Sequence, residues 1–180
     1  TKNLAFMSLF IAIEILMVMV PFLGFIPIGP LRATTLHIPV IIAGIVLGKN
    51  KGAQVGLVFG LSSLFINTIQ PTITSFVFSP FISGSFWSLV IAIIPRVCIG
   101  YVAGMIYEKW KKHPILANTI LVLGGIYLFF GNQYASALGM TFSKLMPYLL
   151  TIIATTGLLE AIVGTIISVI VSRILIQIKK

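Results

Sequence analysis

Aspartate is absent from this sequence, and its acidic side chains are Glu14, Glu108 and Glu160 alone. Acid–base catalysis by paired carboxylates has almost nothing to work with, and neither HExxH nor GxSxG occurs. The single cysteine, Cys98, lies inside an apolar run, which excludes a disulfide framework and a thiolate metal cluster. Phosphate-cradling loops are missing too. The nearest approach, GIVLGKN at residues 44–50, has the wrong glycine spacing and an asparagine where a magnesium-binding hydroxyl belongs. The chain is therefore expected to be no enzyme, to hold no catalytic residues and no metal, and to hydrolyse no ATP itself. Charged residues make up only 8% of the 180, against about 25% in soluble domains. A soluble protein is excluded.

Hydrophobic residues make up 58% of the chain and fall into runs. A membrane span needs about 20 apolar residues, and six candidates emerge at 4–25, 32–48, 52–69, 85–107, 114–130 and 146–176. The expectation is an all-α membrane protein, one domain over residues 1–180 with six transmembrane helices in a single bundle. The first run resembles a secretory signal, but it is too long, holds Glu14 and lacks a small-x-small cleavage site, so it reads as a retained span. The twelve basic residues, net charge +9, form no single basic face, so no nucleic-acid partner is expected. Lys2, Lys49, Lys51, Lys109, Lys111, Lys112, Arg173, Lys179 and Lys180 cluster at one set of ends and loops, whereas Arg32 and Lys144 lie in the other. By the positive-inside rule both termini are cytoplasmic, and the longer loops rich in Gly, Pro, Ser and Thr face outward, where binding usually resides.

Two spans have unusual lengths. The second is only about 24 Å long as a helix, and the sixth, about 45 Å if continuous, is interrupted by ATTG at residues 154–157. Interrupted backbone at membrane depth must line a cavity. Small residues recur at four-residue spacing: Ser8 and Ala12; Gly44 and Gly48; Gly52, Gly56 and Gly60; Gly100 and Gly104; Gly164, Ser168 and Ser172. Such faces allow close helix approach, within this bundle or against another membrane protein.

Polar residues at depth are the candidates for function. Arg96, after Pro95, lies about 15 Å into the fourth span. Glu160 on the last span is its candidate counter-charge. The pair either neutralises itself and fixes helix packing, or floors an outward cavity where Arg96 meets an anionic group; both readings stand. Pro95 frees a backbone carbonyl nearby. His37 opens the second span and, with no other ligand nearby, is an interfacial hydrogen-bonder or a substrate contact. Arg32 precedes it on the loop, able to steer anions or meet lipid headgroups. Asn67, Asn132, Gln133, Tyr134 and Trp87 converge on the outer half of their spans, as interface chemistry or as ligand contacts. Glu14 is given no substrate role.

The runs TLHIPVIIAGIVLG, INTIQPTITSFVFSPF, IPRVCIGYVAG, LANTILVLGGIYLFFG and TTGLLEAIVG, spread over essentially the whole chain, resemble the substrate-binding S component of energy-coupling factor (ECF) vitamin transporters, above all the pantothenate type. The resemblance implies a multi-pass protein of a prokaryotic plasma membrane that captures a vitamin from outside under its first outer loop. It also implies partners: a transmembrane coupling subunit, docking on the Ser8 and Ala12 face, and two cytosolic ATPase subunits that bind ATP and Mg. This chain needs no cofactor of its own. The family's docking face commonly has alanine at both places, and Ser8 departs from that.

Pantothenate presents one carboxylate, hydroxyls, an amide and a compact dimethyl group, which call for one cation, several amides and a small apolar wall. Arg96 as carboxylate partner, Asn67, Asn132, Gln133 and Thr156 as hydrogen-bonders, His37 or Arg32 from the lid, and Trp87 with Tyr134 as walls meet that demand. If Glu160 already neutralises Arg96, the carboxylate turns to Arg32 or Lys144. An S component for riboflavin, folate or hydroxymethylpyrimidine, or a stand-alone secondary carrier, are the alternatives.

Overall fold

The computed structural model describes residues 2–20, 23–28, 31–110, 131–132, 134–152, 154–155 and 158–179. Helix α1, Lys2–Met19, leads into a hairpin of β1, Phe25–Ile28, and β2, Leu31–Thr34. Helices α2, His37–Leu47, and α3, Lys49–Ile69, follow. A 3-10 turn, Ser75–Val77, and the short α4, Pro80–Ser83, lead to α5, Phe86–Trp110. Beyond it lie a helical stretch at 134–137, α6, Phe142–Ile152, and α7, Leu158–Lys179. Three helical stretches, Lys2–Met19, Lys49–Ile69 and Phe86–Glu108, are long and apolar enough to cross a membrane. Shorter apolar helices run over His37–Leu47 and Ile162–Ile178. The expected fifth span at 114–130 lies outside the described residues.

The expected second span over 32–48 is not one helix. Residues 31–34 form β2, and the helix begins only at His37. The strands are antiparallel, with Phe25 opposite Thr34 and Pro27 opposite Arg32. The ladder continues past β2, where the Thr35 amide donates to the Gly24 carbonyl at 3.1 Å and its hydroxyl to the Leu23 carbonyl. Four-residue strands with a proline inside read as loop, since proline removes a ladder donor. Here Pro27 is tolerated because the hairpin has only two strands and both are edges. The hairpin consumes chain that would otherwise extend α2, which is left 11 residues and about 16 Å long. Gly24 packs tightly beneath it: a β-carbon there would lie 2.5 Å from the Met17 carbonyl oxygen and 3.2 Å from Leu36.

The centre of the bundle is the contact of α3 with α5, which is backbone against backbone. A β-carbon on Gly52 or on Gly44 would sit 2.5 Å from the Gly100 carbonyl oxygen, and one on Gly56 would strike the Arg96 carbonyl. Between α2 and α3 the chain turns at Gly48, whose φ of 91° suits glycine. In a bilayer, helices associate through packing rather than through the hydrophobic effect, so small-residue seams decide which pairs meet. The glycine seams at residues 44, 52, 56, 100 and 104 are thus spent inside the molecule, and Gly164, Ser168 and Ser172 are also buried. Ser8 and Ala12 are exposed.

Two apolar cores flank that contact. One holds Phe10, Leu36, Val40, Val55, Phe59 and Ile99. The other joins Val77 and Ile91 to Tyr134, Ala135, Leu145 and Leu149. Overpacking a tight seam costs about 1–3 kcal/mol. Gly56→Val is therefore expected to lower the melting temperature in detergent by about 2–12 °C, while Leu57→Ala, at a position 41% exposed, leaves it nearly unchanged. Equal melting temperatures for both variants would contradict the seam.

Candidate functional site

Proline at position 95 has no N–H to give, so the carbonyl four residues back, that of Ile91, loses its helical partner. Arg96 supplies the replacement: its Nη1 donates to the Ile91 carbonyl oxygen at 2.7 Å. The dipeptide that looks disruptive in the sequence satisfies itself. A helical side chain leans toward the helix N-terminus, and the bond to the Ile91 carbonyl carries the guanidinium in that direction along the axis. The Arg96 backbone lies deep in α5, while its charge sits closer to the end where the 70–85 connection lies.

Two rings flank the charge. The Arg96 guanidinium carbon is 5.4 Å from the centre of the Phe59 ring on α3 and 4.9 Å from that of Phe78 in the connection. Both lie within cation–π range, where each contact contributes about 0.5–2 kcal/mol. Arg96 is 5% exposed, so it turns its charge into the protein and not toward lipid. Its Nε has no hydrogen-bond partner among the described residues. Among those residues the ion pair found is Lys49 with Glu108 at 3.4 Å, a half-exposed contact at the opposite end of α3 and α5. The side chain of Glu160, the expected counter-charge, lies outside the described residues. Glu14 is fully buried on α1, and neither of its carboxyl oxygens has a partner among the described residues.

Hydroxyls and one amide hold the 70–85 connection in place. Asn67 Nδ2 donates to the Ser63 carbonyl at 2.8 Å, and Ser75 donates to Asn67 Oδ1 at 2.8 Å. The Thr72 amide donates to Ser75 Oγ at 2.8 Å. Thr68 and Ser79 share a 2.7 Å hydrogen bond, and Ser88 on α5 donates to the Phe76 carbonyl at 2.8 Å. One end of the Asn67 amide is thus fixed to its own helix at Ser63, and the other ties α3 to the turn that precedes Phe78.

The other expected site residues are dispersed. His37 is 3% exposed; its ring lies beside the Thr34 backbone, yet neither nitrogen makes a hydrogen bond of good geometry among the described residues. Tyr134 is fully buried in the second core, its hydroxyl also without a partner there. Burial, with Tyr148 nearby, holds that phenol above its ordinary range. Trp87 is 47% exposed at the start of α5 and Asn132 is exposed. Arg32 occupies β2 opposite Pro27, but its side chain lies outside the described residues, as do Gln133 and Thr156. The sequence reading missed Phe59 and Phe78. A signal was present for Phe59, which lies between Gly56, packed on the Arg96 carbonyl, and Gly60, packed on Ala92 and Ile93. Nothing local marks Phe78.

A buried, incompletely bonded arginine beneath a folded connection makes this region of the helical membrane protein its candidate site for a polar or anionic solute. The family profile described as "ECF transporter, substrate-specific component" matches residues 2–172. The chain belongs to that family, whose members associate with an ECF module and take small-molecule vitamins. It is 37% identical to the "Pantothenic acid transporter PanT" of Lactococcus lactis subsp. cremoris over 184 residues, covering 93% of this chain and 90% of that protein. It is 28% identical to the "Pantothenate transporter PanT" of Leuconostoc mesenteroides over 200 residues, covering 99% and 94%.

Proposed function

We propose that this chain captures pantothenate from outside the cell and is the vitamin-binding subunit of an ATP-driven importer. Two relatives that bear that substrate in their names support the ligand. The observation that carries the chemistry is Arg96: buried, fixed by the Ile91 carbonyl, and with Nε unpartnered among the described residues. An N–H sealed from water without an acceptor is costly, and a carboxylate is the strongest acceptor available to it. In this reading Arg96 takes the vitamin's carboxylate. Asn67, Asn132, Gln133 and Thr156 serve its hydroxyls and amide, His37 or Arg32 meets it from the hairpin side, and Trp87 and Tyr134 wall the site. If Glu160 instead neutralises the guanidinium, the carboxylate turns to Arg32 or Lys144.

The reading includes six spans in one domain, both termini cytoplasmic, in a prokaryotic plasma membrane. The hairpin and the 70–85 connection then face outward, with Arg96 below them. A transmembrane coupling subunit and two cytosolic ATPases, which bind ATP and Mg, complete the importer. The exposure of Ser8 and Ala12, while the glycine seams are spent inside, supports α1 as the docking helix.

Calorimetric titration of the purified chain against pantothenate, riboflavin, folate and hydroxymethylpyrimidine is expected to give tight binding for pantothenate alone. Arg96→Ala is expected to weaken it by at least about thirtyfold in a variant that still folds, though at a lower melting temperature because the Ile91 carbonyl loses its donor; retained affinity would make Arg96 a packing residue only. In liposomes containing the ATPases and the coupling subunit, Ala12→Trp is expected to stop ATP-dependent uptake while leaving binding intact. Normal uptake by that variant would dismiss the docking face, and uptake driven by an ion gradient without ATPases would identify a secondary carrier instead.

A further inference from the structure

Phe78 stands out because nothing in its immediate sequence predicts its position and several independent bonds enforce it. It follows the 3-10 turn Ser75–Val77, in which Val77 is fully buried. The Phe78 amide donates to the Ser75 carbonyl at 3.0 Å, and Ser75 in turn is bonded to Asn67. On the other side, Ser79 bonds Thr68, and Ser88 of α5 holds the Phe76 carbonyl. The ring is therefore delivered from both flanks, by α3 and by α5, to a point 4.9 Å from the Arg96 guanidinium carbon.

A long arginine side chain has many rotamers, and ordering it on ligand binding costs affinity. Here Nη1 is committed to the Ile91 carbonyl and the two aromatic faces hold the rest of the group, so the unpartnered Nε–H is kept in place rather than found by search. We infer that Phe78 is a positioning residue for the anionic end of the ligand: with Phe59 it clamps Arg96 so that its free edge accepts a single carboxylate, and so sets the preference for the acid over an uncharged analogue. The inference rests on the reading of Arg96 as carboxylate partner. It adds that the connection between α3 and α5, through Phe78, determines selectivity for charge.

The test compares two ligands on the full chain: pantothenate and the corresponding alcohol, which keeps the hydroxyls, amide and dimethyl group but lacks the carboxylate. The wild type is expected to prefer the acid. Phe78→Leu, which keeps bulk and loses the aromatic face, is expected to reduce that preference by about two- to thirtyfold through weaker binding of the acid, with the alcohol unaffected. Phe78→Tyr is expected to retain the preference, and Ser75→Ala, which loosens the anchorage without touching the ring, to lose part of it. Equal weakening of both ligands by Phe78→Leu, or no change in either, would overturn the inference and leave Phe78 as packing. A wild type that binds acid and alcohol equally would overturn the carboxylate reading of Arg96 itself, a result distinct from failure at Phe78.

Discussion

A buried guanidinium has to be held by something, and here the main chain of its own helix does the holding. Proline at 95 strips the Ile91 carbonyl of its normal donor, and Arg96 reaches back to replace it. Neither residue is comfortable alone. Arginine in an apolar span costs at least about 3 kcal/mol, and proline within a helix about the same; together each relieves part of the other's deficit. The rest of the architecture keeps that pair where it is useful. Gly56 lets α3 lie against the Arg96 carbonyl, which brings Phe59 level with the charge. The hydroxyl-bound connection from α3 to α5 brings Phe78 to it as well.

The two cores explain why the site lies at this junction. Phe59 belongs to the core shared by α1, α2, α3 and α5, and Phe78 packs against the core built with α6. Arg96 touches a ring from each. Gly24, where the chain enters the hairpin, packs against Met17 on α1 and Leu36 just before α2.

Much of this could be read from the residues. Apolar runs gave the helices of α1, α3 and α5, four-residue spacing of glycines identified the seam, and Pro95 before Arg96 pointed to a freed carbonyl. What escaped had physical causes. The β-hairpin was hidden by Pro27 and by strands of four residues, too short for alternation to register. That the Arg96 charge reaches back to the Ile91 carbonyl follows from the lean of a helical side chain, which counting backbone rise does not include. Asn67 was legible as polar chemistry near the site, yet its two bonds to Ser63 and Ser75 give it a task in holding the chain that spacing cannot reveal. Phe78 reaches Arg96 only through the fold of an irregular connection, and no period in the sequence encodes that.

The central claim is that the Arg96 Nε–H awaits a carboxylate. The chain has three arginines, Arg32, Arg96 and Arg173, so the nitrogen-15 spectrum of arginine Nε–H groups in the detergent-solubilised protein is simple enough to assign by single substitutions. On addition of pantothenate the Arg96 Nε proton is expected to move downfield and to exchange more slowly with water, as a hydrogen bond to a carboxylate forms. An Arg96 resonance that keeps its position and exchange rate at saturating ligand would contradict the account.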